Sequence, residues 1–249
     1  MPWFHCGVIT QATWPKSEKE VKYGKHTFVL MPPTKNTSAS IHIEREKLND
    51  VKGLTLINRL LSALSWKCNQ PAINHYGWAG NPKPVPVPKS YKMPLGCELC
   101  DFFPSEVHEI TNKRAKLAVA LYREAMNMKY YSVPLQFLSY FKILNIFWND
   151  KYKNGENELV KGLRDSLPDL KEKDCVERIK EIKKQDVPSA AEYLYKHGRC
   201  AVAHAFADPI VDPDDITDLH RLSKDMEIMR SLTAYLIKKK LGIEQSIFK

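Results

Sequence analysis

The run Lys196-His197-Gly198-Arg199-Cys200-Ala201-Val202-Ala203-His204-Ala205 sets a permanent cation and a titratable imidazole five positions apart, with only small or apolar residues between them. That pairing suits cleavage of an RNA phosphodiester without a metal. An imidazole titrating near neutrality can take the proton from a ribose 2′-hydroxyl or protonate the leaving oxygen. A guanidinium can clamp the non-bridging oxygens and stabilise the charge added in the transition state. Five residues turn an α-helix through about 140°, so the two side chains do not share a face. Either the long arginine reaches round, or two copies of the helix face each other and pool their residues. Ala201, Ala203 and Ala205 would permit that close approach. A plainer reading puts Arg199 in a salt bridge with Asp208, Asp212, Asp214, Asp215 or Asp218, and packs His204 in the core.

The flanking sequence says what must hold these residues. Ser189 stands three positions before Glu192, a capping box that opens a helix. Asp212-Pro213-Asp214-Asp215 reads as an N-cap, a proline at the first helical position and acids in the first turn. From Ile216 a stripe of Leu219, Leu222, Met226, Met229, Leu232, Leu236 and Ile237 runs to Gly242, which predicts a helix of about 29 residues at ~1.5 Å each. Upstream, helices are expected over 111–128 and 131–150. The second has Pro134 in its first turn and is apolar nearly all round, hence buried. Residues 151–186 read as one or two short surface helices broken near Leu167-Pro168. Lys196, His197 and Cys200 flank the Arg-His pair and are expected to help bind substrate. His220 and Arg221, early in the last helix, could face the same site, and solvent exposure is the preferred reading.

The N-terminal part is different in kind. Runs at Gly7–Thr10, His26–Leu30 and Ser38–Ile43 predict a small sheet of two to four strands. A helix follows over 47–67, ending at Asn69. Residues 69–107 read as loop-rich, because Pro82, Pro84, Pro86 and Pro88 exclude both a helix and a central strand and make a stiff connector. His5, His26 and His42 lie in β elements without partner spacing. The expected class is therefore α+β, predominantly α. A small N-terminal β-containing region (1–107) with one helix and a Pro-rich connector precedes a helical bundle domain (108–249).

Composition sets outer limits. With 43% hydrophobic and 27% charged residues in 249, the chain can bury a core and is neither disordered nor collagen-like. No apolar run approaches the ~18–20 residues of a membrane span, so no membrane partner is expected. Met1-Pro2-Trp3-Phe4-His5 lacks the pattern of a secretory signal, so a cytoplasmic location and reduced cysteines are expected. Cys97 and Cys100 form one C-x-x-C pair, with Cys68 and His75 the nearest further ligands for zinc. Their spacing matches no zinc module, and plain thiols are the preferred reading. There is no Gly-rich phosphate loop, His-Glu-x-x-His or Gly-x-Ser-x-Gly, so neither a metal nor a cofactor is implied. The net charge of +9 is spread thinly, with residues 187–249 balanced. An RNA-binding surface, if present, falls to the first 150 residues.

Arg199-x4-His204 late in a helical bundle, followed by Asp212-Pro213-Asp214-Asp215-Ile216 and a long last helix, resembles the HEPN superfamily (higher eukaryotes and prokaryotes nucleotide-binding). In particular it resembles HEPN-like proteins of the methylamine-utilisation MauJ type and the ApeA type. The resemblance covers about residues 108–249 and is specific over 197–222. It implies a helical bundle that forms a homodimer, bringing two Arg-x4-His motifs together. Active members are metal-independent endoribonucleases, often toxins or phage-defence effectors with a neutralising or regulatory protein partner. By position, Arg199 would bind phosphate and His204 would act as acid and base. Active members often carry Asn, Asp or His directly after the arginine, where this chain has Cys200. The superfamily also contains non-catalytic modules that bind a nucleotide, RNA or a protein partner, which is the alternative reading.

Overall fold

The computed structural model describes residues 2–45, 48–89, 96–153, 155–205 and 209–245. Its class is α+β, predominantly α. The chain forms two compact units, Met1–Met126 with Glu244–Lys249, and Asn127–Ile243.

The first unit contains β1 (Trp3–Thr10), β2 (Trp14–Pro15), β3 (Lys19–Tyr23), β4 (His26–Met31), β5 (Ala39–Glu44), α1 (Asp50–Cys68), β6 (Ala72–Ala79), β7 (Leu99–Cys100), β8 (Glu106–Val107) and α2 (Lys113–Met128). Its main sheet has six strands in the order β6-β1-β5-β4-β3-β8, more than the two to four expected. All neighbours are antiparallel except β3 and β8. Strand β6 lies in the stretch expected to be loop-rich. Its Ala-Ile-Asn-His-Tyr-Gly-Trp-Ala run lacks clean alternation, and tertiary pairing with β1 makes it a strand. Gly77 belongs to that pairing, since a Cβ there would stand 2.6 Å from the His5 carbonyl oxygen.

Alternation then divides the sheet's side chains between two faces. Phe4, Cys6, Val8, Phe28, Leu30, Ile41 and Ile43 form one core with Ile57, Leu60, Leu61 and Leu64 of α1. That helix starts at Asp50, where Asn49 caps the Lys52 N–H, and ends at Asn69 in the left-handed region (φ 52°). The proline run is extended, as expected. Ser38 N–H bonds the Val87 carbonyl, and Val87 is buried against the sheet over Gly7.

The second unit contains α3 (Val133–Leu144), β9 (Tyr152–Lys153), β10 (Glu156–Asn157), α4 (Glu158–Ser166), a 3-10 turn (Leu167–Asp169), α5 (Lys173–Lys183), α6 (Ala190–Tyr193), a π-helical segment (Leu194–Cys200), α7 (Ala201–Ala203) and α8 (Ile216–Leu241). The break at Leu167-Pro168 falls where it was expected. Two helices are shorter than their sequence pattern. α3 ends at Leu144 instead of reaching Asp150, and the following turns lay the Trp148 ring on Gly162 of α4, where a Cβ would be 2.2 Å from it. α8 begins at Ile216. Asp212 and Pro213 do not start it, because the Asp212 carboxylate is taken by the Asp214 N–H, and Asp215 caps Thr217 instead. At its other end Gly242 is left-handed (φ 67°) and stops the helix as expected.

Among the described residues no helix is long and apolar enough to cross a membrane. All six cysteines are free thiols. No three His, Cys, Asp or Glu side chains of the described residues gather as a metal site, so Cys97 and Cys100 find no zinc ligand set there.

Candidate functional site

Arg199 and His204 converge. The Arg199 Nη1 donates to His204 Nε2 at 3.0 Å, and both residues are half-buried. Regular α-helical rotation would have kept them apart, and two local features remove that obstacle. Leu194–Cys200 is π-helical, with the Ala201 N–H reaching back to the Lys196 carbonyl five residues away. Such widened turns recur at functional sites. The helix then stops, and His204 adopts extended geometry (φ −128°, ψ 114°) while its own N–H still bonds the Cys200 carbonyl. The Val211 N–H returns to the Ala201 carbonyl at 2.9 Å.

Gly198 explains the seating of the wide turn. A Cβ there would lie 2.4 Å from Phe137 Cζ of α3, and Phe137 is fully buried. At its start the segment is tied by the capping box, in which the Ser189 hydroxyl accepts from the Glu192 N–H. Tyr193 is fixed by Arg178, whose Nε donates to the buried Asp225 of α8 at 2.8 Å and whose Nη2 is 3.3 Å from the Tyr193 hydroxyl. Burial pushes the Asp225 carboxyl up despite Arg178 beside it.

The acid that pairs with Arg199 is Asp150, at 2.8 Å from Nη2. The acids after the motif do not take this place. Asp212, Asp215 and Asp218 accept from nearby backbone N–H groups or pair with Arg221, Asp214 gives its own N–H to Asp212, and Asp208 lies outside the described residues. Asp150 also accepts from Tyr195 Oη and Asn157 Nδ2, both at 2.8 Å. Burial works against its charge, but the hydrogen bonds from Asn157 and Tyr195 and the charges of Arg199 and His204 outweigh it. Its carboxyl is held below the usual range. Burial and the bond to Asp150 raise the Tyr195 pKa, so its hydroxyl stays a donor. The Tyr195 ring in turn carries the guanidinium, with Cζ 5.6 Å from the ring centroid.

Asp150, Tyr195 and Asn157 were not singled out from sequence. Tyr195 precedes Arg199 by four positions, a spacing that puts side chains together on a helix. For Asp150 no local signal exists, because its approach depends on α3 ending early. Cys200, expected to touch substrate, contacts Arg199 Nη1 through Sγ at 3.7 Å. His197 stacks on Tyr193 with centroids 5.0 Å apart, and its carbonyl accepts from Arg221 at 2.8 Å. Arg221, expected to face solvent, is thus half-buried, whereas His220 is exposed. Lys196 is exposed and, with His197, lines a pocket of about 500 Å³.

The second unit thus presents a helix broken around an arginine, with an acid on one side of the guanidinium and an imidazole on the other. In comparisons with known proteins, the family model described as Methylamine utilization protein MauJ matches residues 118–238. Over that stretch, which contains the whole arrangement, the chain is similar to the MauJ family. No curated protein and no solved structure matches the chain.

Proposed function

We propose that this protein is a metal-independent endoribonuclease of the HEPN type, with Arg199 binding the scissile phosphate and His204 acting as acid and base. The observation that carries the reading is the 3.0 Å approach of Arg199 Nη1 to His204 Nε2. A guanidinium has only donors, so Nε2 offers its lone pair. A phosphate that takes over the Nη1 donor frees this lone pair for the ribose 2′-hydroxyl proton. The resulting oxygen attacks phosphorus, His204 passes the proton it has taken to the 5′-oxygen as that bond breaks, and the products are a 2′,3′-cyclic phosphate and a 5′-hydroxyl. Asp150 holds Nη2 and keeps the guanidinium aimed throughout.

A homodimer that pools two such motifs is supported by exposed apolar residues of the same unit, among them Tyr131, Leu135 and Ile216. An RNA landing surface is supported by the basic excess of the first 150 residues, which carry most of the net charge of +9. A cytoplasmic toxin or phage-defence effector, held in check by a protein partner, is the role this chemistry serves.

One observation favours the alternative, a non-catalytic module that binds a nucleotide, RNA or a protein partner. Asp150 already neutralises Arg199, and Cys200 offers the guanidinium only a weak contact. The deciding experiment is RNA cleavage in EDTA by wild type and His204→Ala, with analysis of product ends. Cyclic phosphate ends from wild type and none from a folded variant support the ribonuclease. Equal cleavage by both overturns it, and RNA binding without cleavage by wild type selects the module.

A further inference from the structure

The pocket of about 500 Å³ lies wholly within the second unit and adjoins the Arg199 cluster through two shared residues. Tyr195 and Asn157 line it, and both donate to Asp150, the partner of Arg199. Asn157 is buried, at 5% exposed, and Tyr195 is half-buried. The size suits a small heteroaromatic ligand. Tyr152, 77% exposed, contributes aromatic surface to it, the kind on which unstacked RNA bases rest.

The polar lining restricts the choice further. Arg164, the pocket's guanidinium, donates to Glu156 and stands 3.9 Å from Glu192 Oε1. Glu192 has a weak contact from the Ser189 hydroxyl at 3.3 Å and keeps acceptor capacity to spare. A carboxylate only accepts, so its preferred occupant presents two adjacent N–H donors. Among the RNA bases guanine does so, through its imino and exocyclic amino groups. Adenine and cytosine set a ring acceptor beside their amino group, and uracil flanks its one imino group with carbonyls. Lys196, on the same pocket, can donate to the guanine carbonyl or ring nitrogen.

We infer that this pocket binds a guanine base next to the phosphate held at Arg199, with Glu192 reading its imino and amino edge, an assignment that rests on the ribonuclease reading above. Glu192 would then determine specificity without touching the scissile bond. The substitution Glu192→Gln suits the test, because glutamine also serves at this position of a capping box.

The test measures binding of guanosine, adenosine, cytidine and uridine 3′- and 5′-monophosphates to the full chain, beside cleavage of oligonucleotides that carry each base in turn. The expected result is a preference for the guanosine monophosphates of about tenfold, the discrimination of one good bidentate contact, which Glu192→Gln erases while the fold persists. Inosine monophosphate, which lacks the amino group, should also lose the preference. Equal binding of all four bases, no binding of any, or a guanine preference unchanged in Glu192→Gln overturns the inference. Guanosine monophosphate binding with no RNA cleavage would leave the pocket standing and remove the ribonuclease. Cleavage without base preference would do the reverse.

Discussion

Each unit of this protein places a histidine against a second polar group, and the two settings differ in burial and in the charge of the partner. In the first unit His5 and His42 face each other across β1 and β5, Nδ1 to Nδ1 at 2.9 Å, and His42 Nε2 meets the Ser40 hydroxyl at 2.9 Å. Both rings are fully buried, and the Trp78 ring lies 5.1 Å from that of His5. Burial, then the neighbouring His5, lowers the His42 pKa to about 3. In the second unit His204 is half-buried, its partner is a permanent cation, and an acid anchors that cation from the far side. A buried pair that resists protonation serves packing. A half-open imidazole beside a guanidinium is the setting that the proposed acid–base role requires.

The comparison can be broken most decisively at the second site. His204→Ala should reduce RNA cleavage by about 10²–10⁴-fold, the usual worth of a general acid–base, with little change in melting temperature. His5→Ala should affect the folded fraction and leave the activity of each folded molecule intact, which active-site titration separates.

Next in size is Asp150→Asn. It keeps the shape but removes the charge, and cleavage should fall by about tenfold, as for loss of an outer partner that orients a reacting group. Because Arg199 and Asp150 are 27% and 21% exposed, the stability cost should lie between a surface and a buried pair, about 1–3 kcal/mol. Denaturant titration would measure it, and an unchanged rate would remove Asp150 from the site.

The buried pair predicts an acid limb of the stability curve. A histidine kept neutral in the folded state loses stability as pH falls below its ordinary value of 6.5 and continues to lose it down to about 3. At pH 5 that amounts to about 2 kcal/mol at 1.36 kcal/mol per unit. His42→Gln should flatten the curve between pH 6.5 and 5, and a limb unchanged in that variant would refute the assignment.

Gly198→Ala would press a methyl on Phe137, costing about 1–3 kcal/mol in chemical denaturation and displacing Arg199. The smallest effect is expected of Ser189→Ala, about 1 kcal/mol from a lost N-cap, measured as a shift in melting temperature with cleavage retained.

How far the sequence could be read depended on the range of the interactions involved. The capping box at Ser189, the stop at Gly242, the break at Leu167-Pro168 and the extended prolines are all set by neighbours in the chain, and all were legible. β6 was not, because Gly77 and the mixed residues around it become a strand only when β1 lies alongside. The pairing of His5 with His42 is equally invisible, since strand register sets it. So is the early end of α3, where Trp148 settles on Gly162 and turns Asp150 toward Arg199.

By itself the sequence determined the α+β class and the residue types at the site, a guanidinium and an imidazole with small residues between them. Helical periodicity even placed them on different faces. Tertiary structure alone decided that they meet. Packing of Gly198 against Phe137 accommodates a widened π turn, the helix stops before His204, and an acid from another element anchors the arginine. Those events depend on contacts between residues distant in the chain, which no local pattern encodes.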